Sequence, residues 1–140
     1  MAIMQTVLKK ARKKKHENDP NKDICVFIGS TIAFVGSLKL YHWEAILEGN
    51  KEKRRTLEHT ADTLLNIVDK IAETTYTSLG RLNVTIPEVK KPDNIVQYAS
   101  DYYDFIEMRR DLFEEESLHS IIDDYQEILQ RLIYKLVSDL

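Results

Sequence analysis

The chain has 140 residues, 43% of them hydrophobic, which suits one compact domain with a substantial core and is short for two. Its single cysteine, Cys25, excludes an internal disulfide framework, so we expect a reducing, intracellular compartment. No apolar run reaches the roughly 20 residues of a membrane span, so the sequence predicts no transmembrane segment. The net charge is −3, but residues 1–22 hold seven Lys or Arg against two Asp or Glu, which is +5 and leaves −8 for the rest.

Residues 1–19 form a predicted basic arm. The apolar residues of the segment MAIMQTVLKKARKKK recur at helical spacing and lead into a block of cations. These cations are Lys9, Lys10, Arg12, Lys13, Lys14 and Lys15. Such a cluster can neutralise several phosphates, which predicts salt-sensitive, sequence-independent binding to nucleic acid. The alternatives are a solubilising tail without a specific partner, or an amphipathic anchor on another protein or an anionic membrane.

Two long helices are predicted after the arm, separated by a short turn. Pro20 suits the first turn of a helix and Gly49 suits a helix end, so helix A covers about 20–48. Helix B covers about 51–79. Apolar positions in both helices advance by threes and fours, which is typical of a helix with one buried face. The inward stripe of helix A comprises Ile24, Ile28, Thr31, Val35, Leu38, His42 and Ala45.

A connector with two prolines, RLNVTIPEVKKPD, leads to a second pair of helices. Helix C is predicted at about 94–113 with Asp93 as its N-cap, and helix D at about 117–139 with Ser117 as its N-cap. Four apolar-striped helices with one long connection are typical of an all-α, antiparallel four-helix bundle, here over residues 20–140. In this bundle helix A pairs with helix B, and helix C with helix D.

His42 is the first candidate functional residue, because it lies on the inward stripe beside the only tryptophan, Trp43. An imidazole in the core needs a partner, since an unsatisfied polar group there costs about 1 to 3 kcal/mol. Glu58, Asp69 and Glu73 share one flank of helix B, and imidazole with carboxylate suits iron, manganese or zinc. The pattern permits a metal site. The alternatives are a hydrogen-bonded core histidine and a solvated acidic face.

The segments YHWE, VDKIAE and SLG together resemble the mini-ferritins of the DNA-protection-during-starvation (Dps) type. In that family helix A carries a His-Trp pair, and helix B carries a D-x-x-A-E segment at this spacing before a Leu-Gly. The pattern DLFEEESLHSIIDDYQEILQRLIYKL also resembles the family's last two helices. The lysine-rich segment and KLYHW are similar to uncharacterised ferritin-like proteins of phages and large DNA viruses, which implies a virus-encoded protein.

The resemblance implies a ferritin-like homo-oligomer that binds and oxidises iron between two subunits and contacts nucleic acid through its basic arm. The metal ligands that it implies are His42, Glu58, Asp69 and Glu73. A second histidine of the family would fall at Arg54, which cannot ligate a cation and would pair with the acids instead. A shifted A-to-B loop would bring His59 to the site in place of Arg54.

Two further readings of the sequence stay open. The first is a degenerate ferritin-like protein that has lost ferroxidase activity and acts as a structural or nucleic-acid-binding assembly; Arg54 favours it. The second is a plain helical interaction module, which predicts a monomer or a dimer and an arm without affinity for DNA.

Overall fold

A computed structural model describes residues 20–113 and 116–138, which form four α-helices and one short 3-10 helix. The helices are α1 (Pro20–Glu48), α2 (Lys51–Leu79), α3 (Ile95–Glu107) and α4 (Glu116–Ser138). The prediction of an all-helical, bundle-like chain is confirmed for this part of the protein. The predicted basic arm of residues 1–19 lies outside the described residues.

Helices α1 and α2 are joined by a tight turn of two residues. Gly49 adopts a φ of +73°, and the amide of Asn50 donates to the carbonyl of Ala45 at 3.1 Å, which closes the last turn of α1. The Asn50 side chain then accepts from the amide of Lys53 at 3.0 Å and caps the start of α2. Because the turn is so short, α1 and α2 must pack as an antiparallel hairpin.

Helix α3 runs antiparallel to both of its partners. Across α1 and α3, Ser37 contacts Tyr98 and Thr31 contacts Tyr102, so the numbering rises on one helix and falls on the other. Pairs Tyr103–Gln130 and Glu107–Gln126 show the same relation between α3 and α4. Helices α1 and α4 are therefore parallel to each other, and so are α2 and α3.

The connector of residues 80–94, which we call the strap, lies along the outside of α1. The carbonyl of Thr85 lies against Gly29, Val89 lies against Gly36, and further along the Lys91 ammonium pairs with a carboxylate oxygen of α1. The six extended steps from Thr85 to Lys91 reach about 20 Å, close to the roughly 22 Å that α1 rises over the 15 residues from Gly29 to Glu44. The strap thus carries the chain back along the bundle, so that α3 starts at the end where α2 started.

The core is formed by the predicted apolar stripes. Every member of the helix A stripe is buried, from Ile24 at 5% exposure to Ala45 at 0%. Three buried hydroxyl groups lie among the apolar side chains. The Tyr125 hydroxyl lies 2.9 Å from that of Thr31 and 3.0 Å from that of Tyr102, and the Thr31 and Tyr102 hydroxyls lie 2.5 Å apart. This buried hydroxyl cluster links α1, α3 and α4, and satisfying its polar atoms is what permits their burial.

Three boundary predictions for the second helix pair are wrong. Helix α3 ends at Glu107 rather than near 113, because Arg109 turns back to donate to the Phe105 carbonyl at 3.1 Å and a 3-10 turn follows. Its N-cap is Asn94, whose side chain accepts from an amide at 3.0 Å, and not Asp93. Helix α4 already includes Glu116, so Ser117 is not its N-cap.

Helix α1 has one further property that bears on the predicted absence of a transmembrane segment. Among the described residues, only the stretch Asn21–Glu48 is long and apolar enough to cross a membrane by length and composition. In the bundle, 67% of its most apolar window is buried against the other elements. This burial is typical of a core helix, and it is consistent with that prediction.

Candidate functional site

The imidazole of His42 is buried, with 7% of its surface exposed, and contacts the backbone of α2. Its Nδ1 atom lies 3.1 Å from the carbonyl oxygen of Arg54. A carbonyl only accepts hydrogen bonds, so Nδ1 carries a hydrogen, and in the neutral ring Nε2 keeps its lone pair. The hydrogen bond that Nδ1 needs is therefore supplied within the bundle. Nε2 is the nitrogen through which the neutral histidine could bind a metal.

The three predicted carboxylate ligands lie on the outside of α2. Glu58, Asp69 and Glu73 are all exposed, and none takes part in a salt bridge within 4.0 Å among the described residues. Their neighbour Asp62, by contrast, lies 3.6 Å from the ammonium of Lys39. The acidic flank of α2 therefore keeps three carboxylates that the chain does not neutralise by direct contact.

Within one copy of the chain, His42 and the distal acids do not meet. His42 lies level with Arg54, and at 1.5 Å per residue Asp69 is about 22 Å further along α2. Over residues 20–113 and 116–138, no group of three or more His, Cys, Asp or Glu side chains could hold a metal ion. The predicted ligand set is thus divided between two levels of the bundle in one copy of the chain.

Arg54 and His59 are located differently from either expectation. Arg54 meets His42 through its carbonyl, and its guanidinium forms no salt bridge with Glu58 or Asp69 in the described part of the chain. His59 lines a groove between α2 and α4, away from the α1 side of the helix. Within one chain, neither residue therefore occupies the position between His42 and the acids.

An exposed apolar surface lies beside His42 on the last turns of α1. Trp43 is 57% exposed, Ile46 48% and Leu47 88%, and we call these three residues the Trp43 patch. The exposure of Trp43 excludes it from the core of this bundle. Contiguous exposed apolar side chains on a folded domain are typical of a surface that another molecule covers.

The groove between α2 and α4 is a site that the sequence analysis missed. It has a volume of about 340 Å³, and Arg55 and His59 line it from α2 while Arg131 and Lys135 line it from α4. The sequence does contain a pattern that indicates this groove: each helix has two basic residues four positions apart, and residues at that spacing share a helix face. Only the packing of α2 against α4 brings the two pairs together.

The chain was also compared with known proteins. No protein-family model, no curated protein and no solved structure matches it. The function must therefore be inferred from its own residues and geometry.

Proposed function

We propose that this protein is a ferritin-like subunit that assembles into a homo-oligomer, binds ferrous iron between two copies and oxidises it. The observation that carries the proposal is an acidic flank on α2 together with a buried histidine whose Nε2 atom makes no hydrogen bond within residues 20–113 and 116–138. The helix order supports it, because two parallel helices joined by a long connection are typical of ferritin-like bundles.

A two-fold symmetric dimer is the simplest way to unite the divided ligand set. When a second copy docks antiparallel on the α1–α2 face, His42 of one copy reaches the level of Asp69 and Glu73 of the other if the axis lies halfway between them. Such an axis would lie roughly 11 to 14 Å along the bundle from His42, at 1.5 Å per helical residue. This position is near the midpoint of α1 (Pro20–Glu48). The same docking covers the Trp43 patch, so a single interface would both bury these apolar side chains and bring the metal ligands together.

In the proposed site, His42 is the neutral ligand, and Glu58, Asp69 and Glu73 are the anionic ones. This mixture of imidazole and carboxylate suits ferrous iron and stabilises the ferric product, because carboxylates favour the higher charge. Iron is the substrate: two ferrous ions supply two electrons, which with two protons reduce one hydrogen peroxide to two waters. Oxygen is the alternative oxidant for the same iron.

The enzymatic part is tested by following ferrous iron with the full-length protein. We expect the oligomer to bind ferrous iron without oxygen, and to oxidise it faster than buffer does when air or peroxide is added. In the double variant Asp69→Asn, Glu73→Gln the rate should fall at least about tenfold, since each removed charge weakens metal binding. Asp124→Asn, an exposed acid on α4, is the matched control and should leave the rate unchanged. A folded oligomer that neither binds iron nor outpaces buffer would contradict the proposal.

We also propose that the basic arm binds nucleic acid without sequence preference. Its support is the run of Lys9, Lys10, Arg12, Lys13, Lys14 and Lys15, whose charges can replace the counterions of a phosphate backbone. In gel shifts, affinity for duplex DNA should fall as salt rises, and removing residues 1–16 should abolish the shift. Binding that survives the deletion would exclude the arm as the contact.

A degenerate ferritin-like assembly without ferroxidase activity is the second candidate. The contact that favours it is the hydrogen bond from His42 to the Arg54 carbonyl, which gives the histidine a structural reason to be in the core. In a crystal soaked with iron, this candidate predicts density for the Arg54 guanidinium beside an acid of the neighbouring copy. The ferroxidase predicts iron at that place.

A further inference from the structure

The groove between α2 and α4 concentrates positive charge above an apolar floor. Arg55, Arg131 and Lys135 supply three permanent cations to its walls. Glu52 supplies one anion, and Glu127 beside Arg131 supplies a second, so the local balance is +1. The floor is formed by Ile128 and the fully buried Leu132. In a chain whose net charge is −3, this concentration of cations is a local reversal of sign.

The cations of the groove are only partly neutralised by the protein. Arg131 lies 2.7 Å from Glu127, and Lys135 lies 4.0 Å from Glu52, the limit of a salt bridge. Arg55 makes no salt bridge within the described residues. A guanidinium presents its donors as a planar fork that matches two oxygens of one anion, so Arg55 is available for bidentate binding.

A buried hydroxyl group in the same groove points to a ligand independently of the charge. Thr60 and Thr63 line the groove, but their hydroxyls donate to carbonyls one turn back at 2.7 and 2.8 Å. Thr56 also lines it and is 8% exposed, yet its hydroxyl makes no hydrogen bond within the described part of the chain. Buried polar groups are almost always satisfied, and within the described residues the Thr56 hydroxyl leaves its hydrogen-bonding capacity unused beside the groove.

We infer that this groove binds a small ligand that carries phosphate groups. A phosphate offers several acceptor oxygens and negative charge, which suit the positive balance of the walls, the Arg55 fork and the Thr56 hydroxyl together. A volume of about 340 Å³ exceeds what one phosphate fills, so pyrophosphate or the diphosphate of a nucleoside fits its size. In the second case, the apolar floor of Ile128 and Leu132 contacts the organic part. This site is independent of the iron site, which uses the other flank of α2.

The test is isothermal titration calorimetry of the full-length protein with inorganic pyrophosphate and with a nucleoside diphosphate, at constant ionic strength. We expect saturable binding of pyrophosphate. Arg55→Gln should raise its Kd about tenfold and Thr56→Val several-fold, because each removes a hydrogen bond to a charged group. Arg81→Gln removes an exposed arginine in the strap and should change the Kd less than about twofold. A nucleoside diphosphate that binds tighter than pyrophosphate would identify an organic phosphate as the ligand.

Three results would overturn the inference. The first is no saturable heat at millimolar pyrophosphate, and the second is an equal loss of affinity in the Arg55 and Arg81 variants. The third is sulfate binding as tightly as both phosphate compounds, which would show general anion attraction only. Thr56→Val nearly preserves side-chain volume, so its circular dichroism and melting temperature separate a lost ligand contact from a lost fold. If Thr56→Val unfolds, Arg55→Gln alone decides the outcome, because that side chain is exposed.

Discussion

The Nδ1 atom of His42 lies 3.1 Å from the backbone carbonyl oxygen of Arg54, twelve residues later in the chain. The guanidinium of Arg54 cannot ligate a metal, and it is the backbone of Arg54 that contacts the histidine. The contact joins α1 to α2 near their shared turn and fixes the tautomer in which Nε2 keeps its lone pair. A structural role and a ligand role for His42 therefore involve different atoms of one ring.

These two roles can be separated by substitution. His42→Asn keeps a donor near the position of Nδ1, whereas His42→Ala removes it, and both remove Nε2. We expect the Asn variant to be more stable than the Ala variant by about 1 kcal/mol, the usual contribution of one hydrogen bond. Urea denaturation measures the difference. Equal stabilities would show that the contact with Arg54 contributes nothing, while both variants should lose iron binding if Nε2 is a ligand.

The strap depends on Gly29. An added Cβ there would lie 2.1 Å from the Thr85 carbonyl oxygen, a backbone atom that cannot rotate away. Gly29→Ala should therefore lower the free energy of unfolding by about 1 to 3 kcal/mol, the usual cost of overpacking. Gly36→Ala is the matched control, because its nearest neighbour is a Val89 methyl group at 3.0 Å in a half-exposed side chain that can shift. That variant should be neutral or stabilised, since alanine favours a helix by up to about 1 kcal/mol over glycine. If thermal unfolding shows that Gly29→Ala and Gly36→Ala lose equal stability, this account of the strap is contradicted.

The buried hydroxyl cluster should behave as one unit. Tyr125→Phe and Tyr102→Phe each remove one hydroxyl from hydrogen bonds with the other two, so each should lower the free energy of unfolding by about 0.5 to 1.5 kcal/mol. Because the two hydroxyls share a hydrogen bond of 3.0 Å, the double variant should lose less than the sum of the single variants by at least about 0.5 kcal/mol. Tyr134→Phe, at a 72% exposed position, serves as control and should change stability by less than about 0.5 kcal/mol. Strict additivity would show that the hydroxyls act separately.

Alkaline pH should destabilise the protein through the same tyrosines. Burial raises the pKa values of Tyr102 and Tyr125, and burial, followed by the charges of Tyr98, Asp93 and Glu44, raises the pKa of Tyr41 to about 12. An unfolded tyrosine has a pKa of about 10, so above that pH the unfolded state releases protons that the folded state retains. The stabilisation is fully present below pH about 10 and is lost as the pH rises through the folded values.

Urea denaturation as a function of pH measures this loss. The free energy of unfolding should fall more steeply above pH about 10 in the native chain than in Tyr125→Phe, which has one raised tyrosine fewer. Parallel curves for the two proteins would show that Tyr125 does not contribute to the alkaline transition.

The Trp43 patch should control assembly and have little effect on the fold of one copy. In the double variant Trp43→Ser, Leu47→Ser we expect the mass measured by light scattering to fall toward that of a monomer, because these exposed side chains would supply the apolar centre of the interface. Val137→Ser changes a 55% exposed apolar residue on α4 and should leave the mass unchanged. A native chain that is already monomeric at micromolar concentration would contradict the proposed dimer, and the inter-subunit iron site with it.

Local patterns in the sequence were sufficient to predict the positions of most of the helices. Pro20 and Gly49 mark the bounds of α1 because proline and a residue with positive φ are restricted by their own backbones. The buried stripe from Ile24 to Ala45 follows from the helical repeat alone. The end of α3 was not predictable in this way, because it depends on Arg109 folding back on the Phe105 carbonyl and on Arg110 pairing with Asp123 at 2.5 Å on another helix.

The sequence by itself determined that the chain is helical, which face of each long helix is buried, and which residue types could serve as metal ligands, since these follow from neighbours within a few positions. Only the tertiary structure decided which groups meet. It joined His42 to the Arg54 carbonyl, left the acids of α2 on the surface with Asp69 about 22 Å along the helix from His42, and brought Arg55 and Arg131 to one groove. The physical reason is that contacts between helices depend on their register and rotation, which the packing of the whole core sets and no local pattern encodes.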